Sequence, residues 1–323
     1  MLNRRTLIAG AVLGAAWSLA AAQDKDFPNH PLRIIVPFTA GSSSDTNARF
    51  VADKLGPILG QPVVVENRPG ASGAIGLQAA RNLPADGYTI VQASISPMSV
   101  NPVVMKDLGY DPVNDFKALF GMARGMNVIL VSGDSRFRTL AELIAGSKAS
   151  PLNVGTFSAG YQLAAEWLAA EAGVKVVNIP YKGQGPIMTD IMGNQLDFAV
   201  VDLAGATPLI NAGKVRALAV SGETRHPNFP AVASVKETFP SYVQYSWNSF
   251  YVRSQTPDPI TAKLADALKK IMATPEGKEL MKAQGMEFVP LSSAEMLRFN
   301  RAELERFTRI ARAAGIQPVS APP

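Results

Sequence analysis

Leu32-Arg33-Ile34-Ile35-Val36 runs directly into Pro37-Phe38-Thr39-Ala40-Gly41-Ser42-Ser43-Ser44-Asp45, after which Ala48, Val51, Ala52, Leu55 and Leu59 recur at helical spacing. A short β-branched run with almost no polar alternation suits a strand buried on both faces. The spacing that follows gives a helix one apolar stripe. A strand that passes through a Gly/Ser loop into such a helix is half of a βαβ unit.

The next segments complete it. Residues 62–66 read as a second strand, 71–82 as a helix after the Pro69-Gly70 turn, and 88–93 as a third strand after Asp86-Gly87. A βαβαβ order implies a parallel sheet with helices on its faces. The pattern resumes with strands at 128–132, 152–155, 174–179, 196–201 and 215–220 and helices at 139–147, 162–172 and 186–193. The end of the chain reads as helical over 259–273, 275–284 and 293–314, with Pro257, Pro259 and Pro275 suited to the first two starts and Gly285 and Gly315 at two of the ends. The expected fold class is therefore α/β with two lobes. Boundaries are expected near Arg124–Asn127 and in the aromatic segment 243–250. This gives residues 23–126 as the first part of lobe 1, 127–243 as lobe 2, and 244–323 as a return strand and C-terminal helices that rejoin lobe 1. Strand C-termini and helix N-termini would then surround one central cleft, where open α/β sheets bind ligands.

Composition narrows the chemistry. The 323 residues are 47% apolar and 18% charged, ample for a large core. There is no Cys, which removes disulfides, thiolate nucleophiles and zinc–thiolate or iron–sulfur sites, and two His leave little for a metal centre. Residues 1–22 read as a secretory signal peptide: Arg4 and Arg5, an apolar stretch from Leu7 to Leu19, then Ala20-Ala21-Ala22 before the expected cleavage. The Arg4-Arg5 pair leaves both Sec and Tat export open, and either route places the mature chain in the periplasm. That chain keeps a net charge of +3. No Lys/Arg run exceeds two residues, so no nucleic-acid partner is expected.

The candidate binding residues lie in strand-end loops. In the first loop Gly41 permits close backbone approach, Ser42, Ser43 and Ser44 offer hydroxyls, and the following helix offers free N–H groups to an anion. Ser44 or Asp45 acting simply as a helix cap is the plain alternative. Ser94 and Ser96 end another strand of the same lobe. Thr156-Phe157-Ser158-Ala159-Gly160-Tyr161 and Pro180-Tyr181-Lys182-Gly183 end strands of the other, and Asp202 closes a further one. Tyr161, Tyr245 and Trp247 are the aromatic candidates. Catalysis has little to work with. A serine nucleophile needs a positioned base, and His30 and His226 both lie away from these loops. No catalytic residue, cofactor or metal site is expected.

Several stretches, taken in order, resemble the extracytoplasmic solute receptors of tripartite tricarboxylate transporters, the TctC or Bug family. They are Pro31-Leu32-Arg33-Ile34-Ile35-Val36-Pro37-Phe38, Val65-Glu66-Asn67-Arg68-Pro69-Gly70-Ala71-Ser72-Gly73, Pro84-Ala85-Asp86-Gly87-Tyr88-Thr89, Ile179-Pro180-Tyr181-Lys182-Gly183 and Gly213-Lys214-Val215-Arg216-Ala217-Leu218-Ala219-Val220. The resemblance implies a type II periplasmic-binding-protein fold: two lobes, a hinge and a small organic acid enclosed between them. It implies that Phe38, Thr39, Ala40, Gly41, Ser42, Ser43, Ser44 and Asp45, together with Pro180, Tyr181, Lys182 and Gly183, hold the ligand carboxylate. Ser158, Ala159, Tyr161 and Gln162 would stand in the second-lobe loop. Two departures mark this chain: Ala40-Gly41-Ser42 replaces the usual Pro-Gly-Gly, and the second-lobe loop is short. The expected partners are a small carboxylate and integral membrane transporter subunits, with a monomeric receptor. A periplasmic sensor docking to a signalling protein and a serine hydrolase are the rival functions.

Overall fold

The opening run forms β1 (Leu32–Val36), which pairs in parallel with β2 (Val63–Asn67) on one side and β3 (Thr89–Ser94) on the other. Its side chains alternate between two cores. Ile34 and Val36 pack with Val51 and Leu55 of helix α1 (Ser43–Leu59). Ile35 faces the opposite core with Leu77 of α2 (Ala74–Arg81). This is why the run carries no polar alternation. Helix α2 starts later than its pattern suggests. A 3-10 turn at Ala71–Gly73 precedes it, with Ala71 and Ser72 at φ of 44° and 51°, so regular helix begins at Ala74. The computed structural model describes residues 27–320, and the signal peptide expected over 1–22 lies outside them.

After β3 the chain makes a buried π-helical turn at Ser96–Val100, then α3 (Asn101–Val104), β4 (Met105–Lys106) and β5 (Phe116–Ala118). Strand β6 (Met122–Ser132) is the spine of the molecule. Beyond it lie α4 (Leu140–Ala149), β7 (Leu152–Thr156), α5 (Ala159–Ala172), β8 (Val176–Pro180), α6 (Gln184–Met192), β9 (Phe198–Asp202), α7 (Leu203–Asn211) and β10 (Val215–Val220). The chain returns through β11 (Tyr245–Arg253), then α8 (Asp258–Ala273), α9 (Pro275–Ala283), β12 (Met286–Val289) and α10 (Ser293–Ala313). Eleven strands form one sheet in the order β2-β1-β3-β11-β6-β9-β7-β8, with β10 and β12 also on β6 and β5 on β11, while β4 pairs in parallel with the short strand Val319–Ser320.

Strand β6 changes partners half-way. Up to Met126 it pairs with β11 and β12, and from Asn127 onward with β9 and β10. Two apolar cores flank the first half of the sheet and two flank the second. Helix α10 packs Met296, Phe307 and Ala311 into the first half, while Ile310 also touches a core of the second.

Besides the late start of α2 and the short elements α3, β4 and β5, which the sequence pattern does not mark, three elements depart from the reading of the sequence. Strand β6 begins at Met122 and not at residue 128, because β11 and β12 pair with a stretch (Ala123-Arg124-Gly125-Met126) that has little β preference of its own. Helix α7 was unread, because Gly205 and Pro208 depress its propensity. Strand β12 was also unread; it forms only because β6 offers it an edge.

Candidate functional site

A cavity of about 660 Å³ opens between the loops that follow β1 and β3 and those that follow β8 and β9. Its wall is built from helix starts. Ser42 is the N-cap of α1, and its Oγ accepts the Asp45 N–H at 3.2 Å. The first intrahelical bond runs from the Thr46 N–H to the Ser42 carbonyl, so the Ser43 and Ser44 amides lack intrahelical acceptors. Phe38, Thr39, Ala40, Gly41, Ser42, Ser43 and Ser44 all line the cavity, as do Ser94 and Ser96.

Asp45 plays a different part from the one expected of it. Its carboxylate is buried and accepts the Gly41 N–H at 2.9 Å, the Asn67 Nδ2–H at 2.9 Å and the Arg49 Nε–H at 3.0 Å. Burial alone would raise its pKa. The bonds from Arg49, Gly41 and Asn67 outweigh that and hold it below its ordinary value. Asp45 therefore braces the loop from behind, with Gly41 at a φ of 82° completing the tight turn.

From the opposite wall, Gly183 precedes α6 with no side chain to cap it, so the first amides of α6, at Gln184 and Gly185, have no side-chain acceptor from their own cap. A Cβ built on Gly183 would meet Thr39 Oγ1 at 3.7 Å, which measures how closely the two walls approach. Lys182 stands beside them. Asp202 precedes α7 without capping it; its Oδ1 accepts the Ser246 hydroxyl at 2.8 Å. Its backbone carbonyl accepts Gln184 Nε2–H at 3.1 Å. Burial raises the Asp202 pKa, against donation from Tyr161 and Ser246. Burial also pushes the Tyr161 phenol well up, with the Asp202 charge adding to it. Lys182, Gly183, Ser158, Tyr161 and Asp202 all line the cavity.

The N-terminus of α5 is spent on joining the walls. Its N-cap Ser158 makes no capping bond of its own. Instead Ser72 Oγ accepts the Ala159 N–H at 3.0 Å and Ser96 Oγ accepts the Gly160 N–H at 3.1 Å, with Ser96 and Ser158 hydroxyls 2.9 Å apart. Ala159 and Gln162 line a neighbouring cavity of about 1150 Å³, as do Pro180 and Tyr181. Tyr181 donates to Asp190 Oδ2 at 2.5 Å, and burial and that carboxylate push its phenol up to about 12. These four residues thus sit apart from the first cavity. Phe38, Thr39, Phe157, Ser158 and Lys182 line both. Of the aromatic candidates, Trp247 reaches the first cavity and Tyr245 does not. The Tyr245 ring carries the Arg124 guanidinium at 4.9 Å and its oxygen accepts the Glu223 N–H.

The reading of the sequence passed over Gln184, Met188, Gly205, Ser246 and Asn248, all in the wall. Ser246 and Asn248 alternate along β11, so a period of two in 243–250 was the available signal. Neither histidine lines the cavity: His30 stacks on Tyr88 at 3.5 Å and His226 lies beside Phe229. Among the described residues no three His, Cys, Asp or Glu gather to hold a metal ion, and no helix is long and apolar enough to cross a membrane. In chemical terms the cavity offers neutral N–H and O–H donors, one ammonium and one carboxyl, Asp202; the donors at the starts of α1 and α6 are matched to an anion.

Residues 47–316 match the model of the tripartite tricarboxylate transporter family receptor, TctC. The chain belongs to this family. Among its TctC relatives, a UPF0065 protein of Bordetella bronchiseptica is 36% identical over 273 residues, 84% of this chain and 81% of the relative. BugT of Bordetella pertussis is 32% identical over 253 residues, 76% of this chain and 77% of its own. Solved structures agree on the fold. R. palustris Rpa4515 with adipate aligns at a TM-score of 0.86 and 30% identity, over 91% of this chain and 100% of that one. The periplasmic binding protein BugD aligns at 0.84 and 28%, over 91% and 100%. The TctC fold is thus a mixed α/β periplasmic-binding-protein fold, as the motifs implied.

Proposed function

We propose that this chain is a periplasmic receptor that captures a small carboxylate between two lobes and delivers it to the membrane subunits of a tripartite tricarboxylate-type transporter. The lobes are residues 23–126 with 244–323 on one side and 127–243 on the other. The observation that carries the reading is the convergence of two helix starts, those of α1 and α6, from opposite walls on one cavity that also holds Lys182. Backbone amides at a helix start attract an anion through their unmet donors and the helix dipole. The Ser42, Ser43, Ser44 and Thr39 hydroxyls add donors without adding charge. Asp45 keeps the loop in shape by holding the Gly41 amide. Closure of the walls excludes water and strengthens each of these bonds. Rpa4515 was solved with adipate, which supports an organic acid as the ligand class.

The test is a thermal-shift screen of the protein, denatured and refolded to strip any carried ligand, against aliphatic dicarboxylates, tricarboxylates, hydroxy acids, amino acids and aromatic acids. A ligand at about 100 times its Kd should add about 2.7 kcal/mol, a rise of a few degrees for a chain of this size. Stabilisation by one group of carboxylates supports the reading. Refolded protein that responds to none of them overturns it.

A further inference from the structure

Among the described residues lining the cleft, the acidic and basic side chains are those of Lys182 and Asp202. They serve different ends. Lys182 lies beside the uncapped amides of α6, so one ligand carboxylate finds both a cation and free N–H donors there. Asp202 ends β9 on the floor of the cleft, with Ser246 donating to Oδ1 at 2.8 Å and Tyr161 close by. None of the ion pairs among the described residues includes Asp202. Its two side-chain partners, Tyr161 and Ser246, are neutral.

A carboxylate in this setting discriminates by charge. A second carboxylate brought against it sets two anions together, in a cleft whose basic side chain, Lys182, stands at the start of α6. A hydroxyl or an ammonium instead donates a charge-assisted hydrogen bond to it. We propose that Asp202 selects ligands whose far end is a hydrogen-bond donor, a hydroxyl or an ammonium, over ligands of the same length that end in a second carboxylate. This rests on the receptor reading above. It separates the preferred ligand of this chain from adipate, the dicarboxylate in the Rpa4515 structure.

Calorimetric titration of the protein with matched acids tests the selection. The probes are γ-hydroxybutyrate and γ-aminobutyrate against succinate, ε-aminocaproate against adipate, and p-hydroxymethylbenzoate against terephthalate. In each set that binds, the donor-ended acid is expected to bind roughly tenfold tighter or more. Asp202→Asn keeps the shape and removes the charge, and it should bring the two affinities together or invert their order. Ser246→Ala, which removes only the hydroxyl that orients the carboxylate, should narrow the ratio in the same direction and stands in if the first variant fails to fold. Lys182→Gln should weaken both members of a set alike, because it faces the carboxylate they share. Tighter binding of the dicarboxylates by the unmodified protein overturns the proposal and leaves the receptor reading standing. So does an unchanged ratio in a folded Asp202 or Ser246 variant. Binding of no acid in any set overturns the receptor reading itself, and the selection with it.

Discussion

Asp45 shows how one loop residue can suit several tasks. An acidic residue just after a Gly/Ser loop is equally apt for touching a ligand, capping a helix or bracing the loop, and all three produce the same short sequence. Only the fold brings Asn67, Arg49 and the Gly41 amide onto one carboxylate. Asp45→Asn should therefore lower both stability and carboxylate affinity while the cavity residues stay unchanged, with a cost of about 1–3 kcal/mol for the broken buried network. The pH dependence follows from the sign of the shift. The folded pKa lies below the unfolded one, so the brace stabilises fully above the ordinary aspartate value of about 3.9 and fades as pH falls below it. Thermal melts of the two proteins should differ at neutral pH and converge in strong acid. Asp202 has the opposite shift. Its raised pKa means that its contribution to stability is fully present below the ordinary aspartate value and is lost as pH rises through the folded one. Asp202→Asn should raise the Tm of the ligand-free protein, a gain in stability at a residue kept for binding.

Among elements, those legible in the sequence carried their signal within themselves: β1, β2 and β3 as β-branched runs, α1 as an apolar stripe, α8 and α10 behind their start residues. Two of the unread ones, β12 and the front of β6, owe their existence to partners far away in the chain, and pairing of that kind leaves no local trace. The span of α5 is legible, but what its first amides bond to is not. Its first two amides are capped by Ser72 and Ser96, residues that sequence separation hides from any local pattern. Caps are worth about 1 kcal/mol each. The double variant Ser72→Ala and Ser96→Ala should thus loosen the join between the walls and weaken ligand binding roughly tenfold, with helix content by circular dichroism unchanged. Gly160→Ala probes the same join sterically. A Cβ there would meet Ser96 Oγ at 2.9 Å, so affinity should fall while the helix itself gains propensity.

For the whole molecule, β6 decides the behaviour. It belongs to both halves of the sheet, and α10 packs against both, with Arg306 donating to the Val243 carbonyl and the Trp247 indole facing Glu303. Neither half keeps an intact edge without the other. Calorimetric unfolding should accordingly show one transition, with the van't Hoff and calorimetric enthalpies equal, and ligand should move that transition as a unit.

On the proposed function, the start of α1 holds the ligand carboxylate. Ser43→Asp tests it, because an acidic residue in the first turn favours the helix while setting a negative charge where the ligand carboxylate would lie. Calorimetric titration of this variant and the unmodified protein with the acids of the thermal-shift screen gives the answer. We predict saturable binding by the unmodified protein and at least a hundredfold loss, on the order of 3 kcal/mol, in a variant that is equally stable. Equal affinity in the two proteins would contradict the claim.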